Sequence, residues 1–256
     1  MKKIAMAIAC HPDDIEFSMA GTLLQLQKRG WEVHYMDVAN GSLGTAVDDY
    51  QTIVAKRRGE AKAAAESAGM IFHESICDDI EVFYTYELLA KLVPVVRAVE
   101  PTIVLTHGPW DYMEDHINTG RLAVSALFCR GMQNMKCAPT SGPTFQDVAL
   151  YHAMPHGLID QLRRPVIPEI LVDVEPFMER KKAMLRCHVS QDKWLELSQG
   201  GGAYVQDMVR RNEQCARAFG NFRYAEGWVR HNPLGFSTDR FNPLVEALSD
   251  CSFCNE

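Results

Sequence analysis

Two short segments concentrate residues able to bind a divalent ion and move a proton. The first reads Cys10-His11-Pro12-Asp13-Asp14-Ile15-Glu16, and the second runs from His107-Gly108-Pro109-Trp110-Asp111 through Tyr112-Met113-Glu114-Asp115-His116. His11 and Asp14 can hold an ion from one side while His116 closes from the other. Two imidazoles and one carboxylate leave a coordination position open, the pattern of a catalytic rather than a structural site. Two adjacent aspartates on a tight turn cannot present to one ion in the same way, so one ligates while its neighbour, as general base, faces a water drawn to the ion. An ion lowers the pKa of such a water from about 15.7 to about 7, which suits attack on a carbonyl. Taken singly, each segment is as compatible with aspartates capping a following helix.

The elements around the two segments decide what they share. Apolar runs over residues 3–9, 32–38, 70–73 and 102–106 alternate with helical patterns over 18–29, 50–68, 86–99 (with Pro94 inside it) and 118–133. That alternation predicts βαβ units around a parallel sheet, an α/β, Rossmann-like, doubly wound architecture. Ligands of such sheets bind beyond the carboxyl ends of the strands where the strand order reverses. The two segments follow the first and fourth strands and so meet there. The first lacks the glycines that a dinucleotide pyrophosphate requires and offers carboxylates where phosphates would be repelled. Beyond residue 148 the rhythm is less regular. Strands are expected over 148–154 and 169–174, broken by Pro155, Pro165 and Pro168, and helices over 176–186 and 204–219. With no low-complexity linker and no repeat, residues 1–256 read as one domain with an elaborated C-terminal half.

Composition narrows the partners. Of 256 residues, 47% are hydrophobic and 23% charged, ample for a core, and the net charge of −7 carries no basic block. This argues against nucleic acid or an anionic membrane as partner and for a small neutral or cationic ligand. The apolar run after Lys2 and Lys3 is too short for a signal segment or a membrane span. The eight cysteines are scattered, which fits reduced thiols and a cytoplasmic location. Cys251-Ser252-Phe253-Cys254 lacks a second pair and reads as a tail rather than a zinc ribbon.

His11-Pro12-Asp13-Asp14-x-Glu16, preceded by a strand and followed by Gly21-Thr22-Leu23, resembles the signature of the LmbE-like, or PIG-L, family of zinc-dependent N-acetyl deacetylases. Further echoes follow in order: Asn40-Gly41-Ser42-Leu43-Gly44, Arg57-x-x-Glu60, residues 101–104, Asp115-His116, residues 181–191 with His188 and Ser190, and Ala225-Glu226. The resemblance implies that His11, Asp14 and His116 bind Zn²⁺, with another divalent metal such as Fe²⁺ as the alternative, and that Asp13 is the general base. It implies an N-acylated amino sugar of the N-acetylglucosamine type, or a conjugate of one, as substrate.

One departure stands out: the family's H-P-D-H is Met113-Glu114-Asp115-His116 here, and methionine can donate neither a proton nor a hydrogen bond to an oxyanion. His188, His107 and Tyr112 are the candidate replacements. Asp115, next to a ligand, is expected to orient a partner. Arg57 and Arg223 are candidates for a polar substituent of the substrate, Trp110 and Tyr112 for a wall against a sugar ring, and His152 and His156 for the pocket lining. Two other readings compete with hydrolysis: a non-haem iron enzyme, which also uses two histidines and one carboxylate, and a noncatalytic metal- or sugar-binding protein, which Met113 would suit. A homo-oligomer is compatible with any of them.

Overall fold

A computed structural model describes residues 2–199, 204–220 and 222–254. Its centre is an eight-stranded sheet in the order β3-β2-β1-β4-β5-β7-β6-β8, formed by β1 (Ile4–Ala9), β2 (Glu32–Asp37), β3 (Ile71–His73), β4 (Ile103–His107), β5 (Ala149–Ala153), β6 (Ile170–Asp173), β7 (Ala225–Arg230) and β8 (Ser252–Cys254). The first five strands pair in parallel, whereas β7 joins β5 and β6 antiparallel and β8 closes the edge antiparallel to β6. The order reverses between β1 and β4, as the βαβ rhythm requires.

The helices are α1 (Asp14–Ser18), α2 (Ala20–Lys28), α3 (Tyr50–Ser67), α4 (Tyr86–Val99), α5 (Glu114–Phe128), α6 (Met178–Leu185), α7 (Val189–Gln199), α8 (Tyr204–Phe219) and α9 (Pro243–Ala247). They cover both faces of the sheet, so the parallel strands are buried on both sides and read as near-continuous apolar runs. Ala5, Ala7 and Ala9 of β1 face a core with Leu23 and Leu24 of α2, Ala64 of α3, Met184 of α6 and Met208 of α8. Met6, Ile8 and Cys10 face the opposite core, with Leu92 and Val96 of α4 and Leu122 and Ala126 of α5.

Several expectations need correction. The fourth helix begins at Glu114 instead of residue 118, so Asp115 and His116 lie in its first turn and not in a loop. Acidic residues fill that turn and suit the positive end of the helix dipole, but they carry no apolar periodicity. The helix expected over 18–29 is two pieces, α1 and α2, broken at Met19. The C-terminal Cys251 to Cys254 segment is no bland tail, because residues 252–254 pair with β6. Gly200 to Gly202, a candidate hinge by sequence, lie outside the described residues.

A buried cluster ties the C-terminal half to the start of α2. Glu226 of β7 accepts the backbone N–H groups of Gly21 at 2.9 Å and Thr22 at 2.7 Å. Lys181 Nζ, fully buried, reaches Glu226 Oε1 at 2.5 Å, Asn212 Oδ1 at 2.9 Å and the Phe17 carbonyl at 3.3 Å. This gives the Gly21-Thr22 and Ala225-Glu226 echoes a structural reason: one carboxylate satisfies two otherwise orphaned helix N–H groups and is balanced by one ammonium. No helix among the described residues is long and apolar enough to cross a membrane.

Candidate active site

The site lies where β1 and β4 end. The chain leaves β1 through Cys10 and turns so sharply at Asp13 that its φ is 105°, a left-handed conformation uncommon for a residue with a side chain. That turn puts Asp13 and Asp14 side by side and starts α1 at Asp14. From the other side, α5 approaches the end of β4 at Gly120, where a Cβ would come within 2.6 Å of the His107 carbonyl oxygen. The glycine lets the first turn of α5, with His116, close on the β1 turn.

Asp14 Oδ2 is the centre of the cluster. It lies 3.4 Å from His11 Nδ1, 3.2 Å from His116 Nε2 and 3.4 Å from His107 Nε2. Ligand atoms of a tetrahedral ion with bonds of about 2.0–2.1 Å are themselves about 3.3–3.4 Å apart, and each nitrogen lies at about that distance from Asp14 Oδ2, although His11 and His116 do not fall in one group of mutually close donors. Asp14, His107 and His116 form one candidate metal group, and Cys10, His11 and Asp14 form another. The hydrogen bonds discriminate among the donors. His107 Nε2 accepts the Cys10 backbone N–H at 3.0 Å, which occupies its lone pair, and the His107 ring stacks on His116 with centroids 4.0 Å apart. Cys10 Sγ lies 3.6 Å from the Nε2 edge of His11, the edge away from the nitrogen that meets Asp14.

Behind each of the other two imidazoles stands a carboxylate. His11 Nε2 donates to Asp115 Oδ2 at 3.1 Å, and His116 Nδ1 donates to Asp111 Oδ1 at 2.9 Å. Such pairs fix the tautomer and raise ligand basicity in metal sites. Asp115 Oδ2 also accepts the Ile80 N–H at 2.8 Å, and Asp111 Oδ1 the Met113 N–H at 3.2 Å, so both carboxylates are held from a second direction. The electrostatics agree with a cation site: burial alone would lower the His116 pKa, yet Asp14 and Asp111 outweigh it and raise it to about 10. Burial raises the His107 barrier to protonation, and the neighbouring His116 adds to it, lowering its pKa. Asp115→Asn or Asp111→Asn is expected to weaken metal binding by about 10–100-fold with little change in fold, read as the apparent Kd in competition with a chromophoric chelator.

Asp13 stands apart from the donor atoms. Its Oδ2 accepts the Tyr204 hydroxyl at 2.5 Å and lies 3.8 Å from Arg57 Nη2, which itself donates to the Pro12 carbonyl at 2.5 Å. Burial pushes the Asp13 carboxyl up to about 6, with Arg57 opposing and Asp14 adding to the rise. A carboxylate poised in that range, beside the cation site, is suited to proton transfer near neutral pH.

The structure separates the other expected residues. Arg57 is buried beneath the Asp13 turn, with Nε and Nη1 unpartnered, and so supports the turn instead of facing a substrate. Arg223 is on the surface, paired with Glu175 at 3.2 Å. His188 is fully buried with Nε2 3.5 Å from Glu16 Oε2, outside the donor cluster, a position that does not suit direct donation to a leaving amine. Trp110 packs with Met154 and Leu158 and edge-on to His152, which donates to the His107 carbonyl at 2.8 Å. Tyr112 is 60% exposed, its ring edge-on to His116 at 5.8 Å and to His156 at 6.3 Å, at the mouth of the site. Sequence reasoning missed Asp111 and Tyr204. Asp111 was within reach, five residues before His116 in the same segment; Tyr204, 191 positions from Asp13, had no local signal.

Comparison with known proteins gives the geometry a family. The model of the PIG-L family, described as GlcNAc-PI de-N-acetylase, matches residues 6–127. A diacetylchitobiose deacetylase of Thermococcus kodakarensis is 30% identical over 207 residues, 76% of this chain and 73% of the relative. A 4-oxalmesaconate hydratase of Pseudomonas putida is 24% identical over 88% of each chain. Among solved structures, the N,N'-diacetylchitobiose deacetylase of Pyrococcus horikoshii superposes with a TM-score of 0.75 at 24% identity, covering 94% of this chain and 88% of that one. The fold, the two motif-bearing turns and these matches agree: the chain belongs to the PIG-L (LmbE-like) family.

Proposed function

We propose that the protein is a metal-dependent N-deacetylase that releases acetate from the nitrogen of a small acetylated amino sugar or a conjugate of one. The observation that carries this reading is the cluster at Asp14: two ring nitrogens at ion-binding distance from one carboxylate oxygen, each imidazole backed by its own carboxylate, with Asp13, held by Tyr204, alongside. His11, Asp14 and His116 would hold the ion, and zinc is the metal best suited to two nitrogens and one oxygen with an open position. When bound, the ion supplies Lewis acidity that polarises the acyl carbonyl and acidifies water.

The chain's own groups do the rest. Asp13 takes the proton from the attacking water and returns it to the departing nitrogen. Tyr204 and Arg57 hold that carboxylate in place by the contacts described above, at the left-handed turn of Asp13. Met113 occupies the N-cap of α5 and donates no side-chain hydrogen bond, so among the chain's own groups the Tyr112 hydroxyl at the mouth is the donor left for the oxyanion. The name of one relative, diacetylchitobiose deacetylase, supports amide hydrolysis on an acetylated amino sugar, whereas that of the other, 4-oxalmesaconate hydratase, names a different reaction on the same fold.

The test is release of acetate and free amine from a panel of N-acetylated amino sugars, with Met113→His beside the parent protein. Release by the parent, without need of the restored histidine, supports the reading. Stoichiometric metal binding with no release by either protein would leave a noncatalytic binding protein.

A further inference from the structure

The turn from Asp78 to Glu81 joins the loop after β2 to the edge of the ion cluster. Asp78 accepts the Asn40 amide at 2.5 Å and the Tyr50 hydroxyl at 2.9 Å. Asp79 accepts the backbone N–H groups of Gly41 at 2.8 Å and Leu43 at 2.9 Å, while its own N–H donates to Ser42 Oγ at 3.1 Å. Ile80 N–H then donates to Asp115 Oδ2, the carboxylate behind His11.

Within this fastened turn Ile80 has a φ of 65°, in the left-handed region. The Glu81 N–H closes the turn on the Asp78 carbonyl at 3.3 Å, which puts Ile80 at the third position, where a positive φ calls for glycine or asparagine. A β-branched side chain is among the least suited to it. The other non-glycine residues of positive φ among those described have an account: Glu100 caps α4, Leu158 packs in a core cluster, Asp13 makes the site turn, and Arg163, unbranched at Cβ, lies in an exposed turn. Ile80 is 66% exposed and belongs to no apolar cluster among the described residues, so packing does not offset its strain. The hydrogen bond to Asp115 does not explain the isoleucine either, because a glycine would present the same N–H at the same φ without the clash. Leu43, 54% exposed and likewise outside the apolar clusters, stands on the same Asp79 carboxylate. Two aliphatic side chains are thus held out into solvent on the side of Asp115 and His11, while Tyr112 stands on the side of His116.

We infer that Ile80, seconded by Leu43, is a substrate-contacting residue that selects an apolar face: its side chain bears on C–H groups of the acetylated amino sugar at the cluster, and the strained turn fixes it there. The inference rests on the deacetylase reading and adds a binding residue to it. Backbone strain persists where its surroundings over-determine it, and ligand clamps are among the places that keep it. An aliphatic contact gains by displacing water from C–H groups, whereas a hydroxyl pressed against it would lose water and find no partner.

The experiment measures Tm, zinc affinity and steady-state kinetics of the metal-loaded enzyme for Ile80→Gly, Ile80→Asn and Ile80→Val beside the parent. The substrate is N-acetylglucosamine, or whichever N-acetylated amino sugar is turned over best. Ile80→Gly and Ile80→Asn suit the left-handed position and keep the N–H on Asp115, so both are expected to raise Tm by about 2–4 °C and to leave zinc affinity as in the parent. KM is expected to rise by about 5–20-fold in both, the loss of a partly covered aliphatic contact, with the change in kcat much smaller. Ile80→Val, one methylene shorter, is expected to keep most of the parent's affinity for the sugar, and Leu43→Ala to raise KM by less than Ile80→Gly. A role confined to aiming the N–H would move zinc affinity and not KM. Unchanged KM in Ile80→Gly, loss of zinc in step with activity, or no gain in Tm would each overturn the inference while leaving deacetylation standing. If the parent hydrolyses no sugar, the deacetylase reading fails. The contact is then judged by calorimetric binding of glucosamine to the zinc-loaded protein, where weaker binding by Ile80→Gly than by Ile80→Val would support it and equal or absent binding would overturn it.

Discussion

Asp13→Asn is expected to lower turnover by about 10²–10⁴-fold, the range for loss of a positioned general base, while the protein still binds one metal ion. The substitution preserves shape and leaves an amide that can accept the Tyr204 hydroxyl, so the turn at φ 105° survives. What it removes is the site that receives the proton. The ligand set is untouched, because Asp13 Oδ2 is committed to Tyr204 whereas Asp14 Oδ2 faces the three ring nitrogens. Acetate release and metal content measured on the same sample check both halves. Loss of metal together with activity would mean that Asp13 is a ligand, and activity within a few fold of the parent would mean that another group accepts the proton.

Lys181→Ala is expected to cost about 3–5 kcal/mol in chemical denaturation, the usual loss when one member of a buried ion pair is removed. Glu226 would remain buried with only the Gly21 and Thr22 N–H groups to balance its charge, and Asn212 Oδ1 would lose a donor. Because domains are stable by about 5–15 kcal/mol in total, the loss consumes a large part of the margin. Lys181→Met, which restores apolar volume but not charge, should recover only the packing share. A loss below about 1 kcal/mol would show that the cluster is solvated and that α2, α6, α8 and β7 are joined by their apolar contacts alone.

How much of this the sequence reveals depends on whether the cause is local. β1, β2 and β4 are legible because parallel strands covered on both faces must be apolar at nearly every position, and their boundaries fall within a residue of expectation. The switch point between β1 and β4 follows from the alternation, and with it the meeting of His11, Asp14 and His116. β7 was missed because Ala-Glu-Gly-Trp-Val-Arg breaks the apolar run with Glu226, whose partner Lys181 is 45 positions away, and with Gly227, which a Cβ would press against Met154. β8 has three residues and exists only through β6. α7 was missed as well, a helix whose apolar positions are too sparse to show a stripe.

The same distinction holds within the site. His11, Asp13, Asp14, Asp115 and His116 announce themselves through spacing and residue type, but their roles depend on hydrogen bonds that spacing does not encode. His107 has the chemistry of a ligand and lies in a candidate metal group with Asp14 and His116, yet its Nε2 also accepts the Cys10 N–H. His188 has the chemistry of an acid but is fully buried near Glu16, outside the donor cluster. Tyr204 comes to the site on a helix nearly two hundred residues beyond the first motif, placed by tertiary packing of α8 against β7 and α1.

The most direct test of the central claim is reconstitution. Protein stripped with a chelator is titrated with Zn²⁺ while acetate release from the best N-acetylated amino sugar is followed. The account predicts no release from the stripped protein, activity rising to a plateau at one equivalent, and no recovery in His116→Ala at the same concentrations. Full activity after verified stripping, or full recovery in His116→Ala, would contradict it.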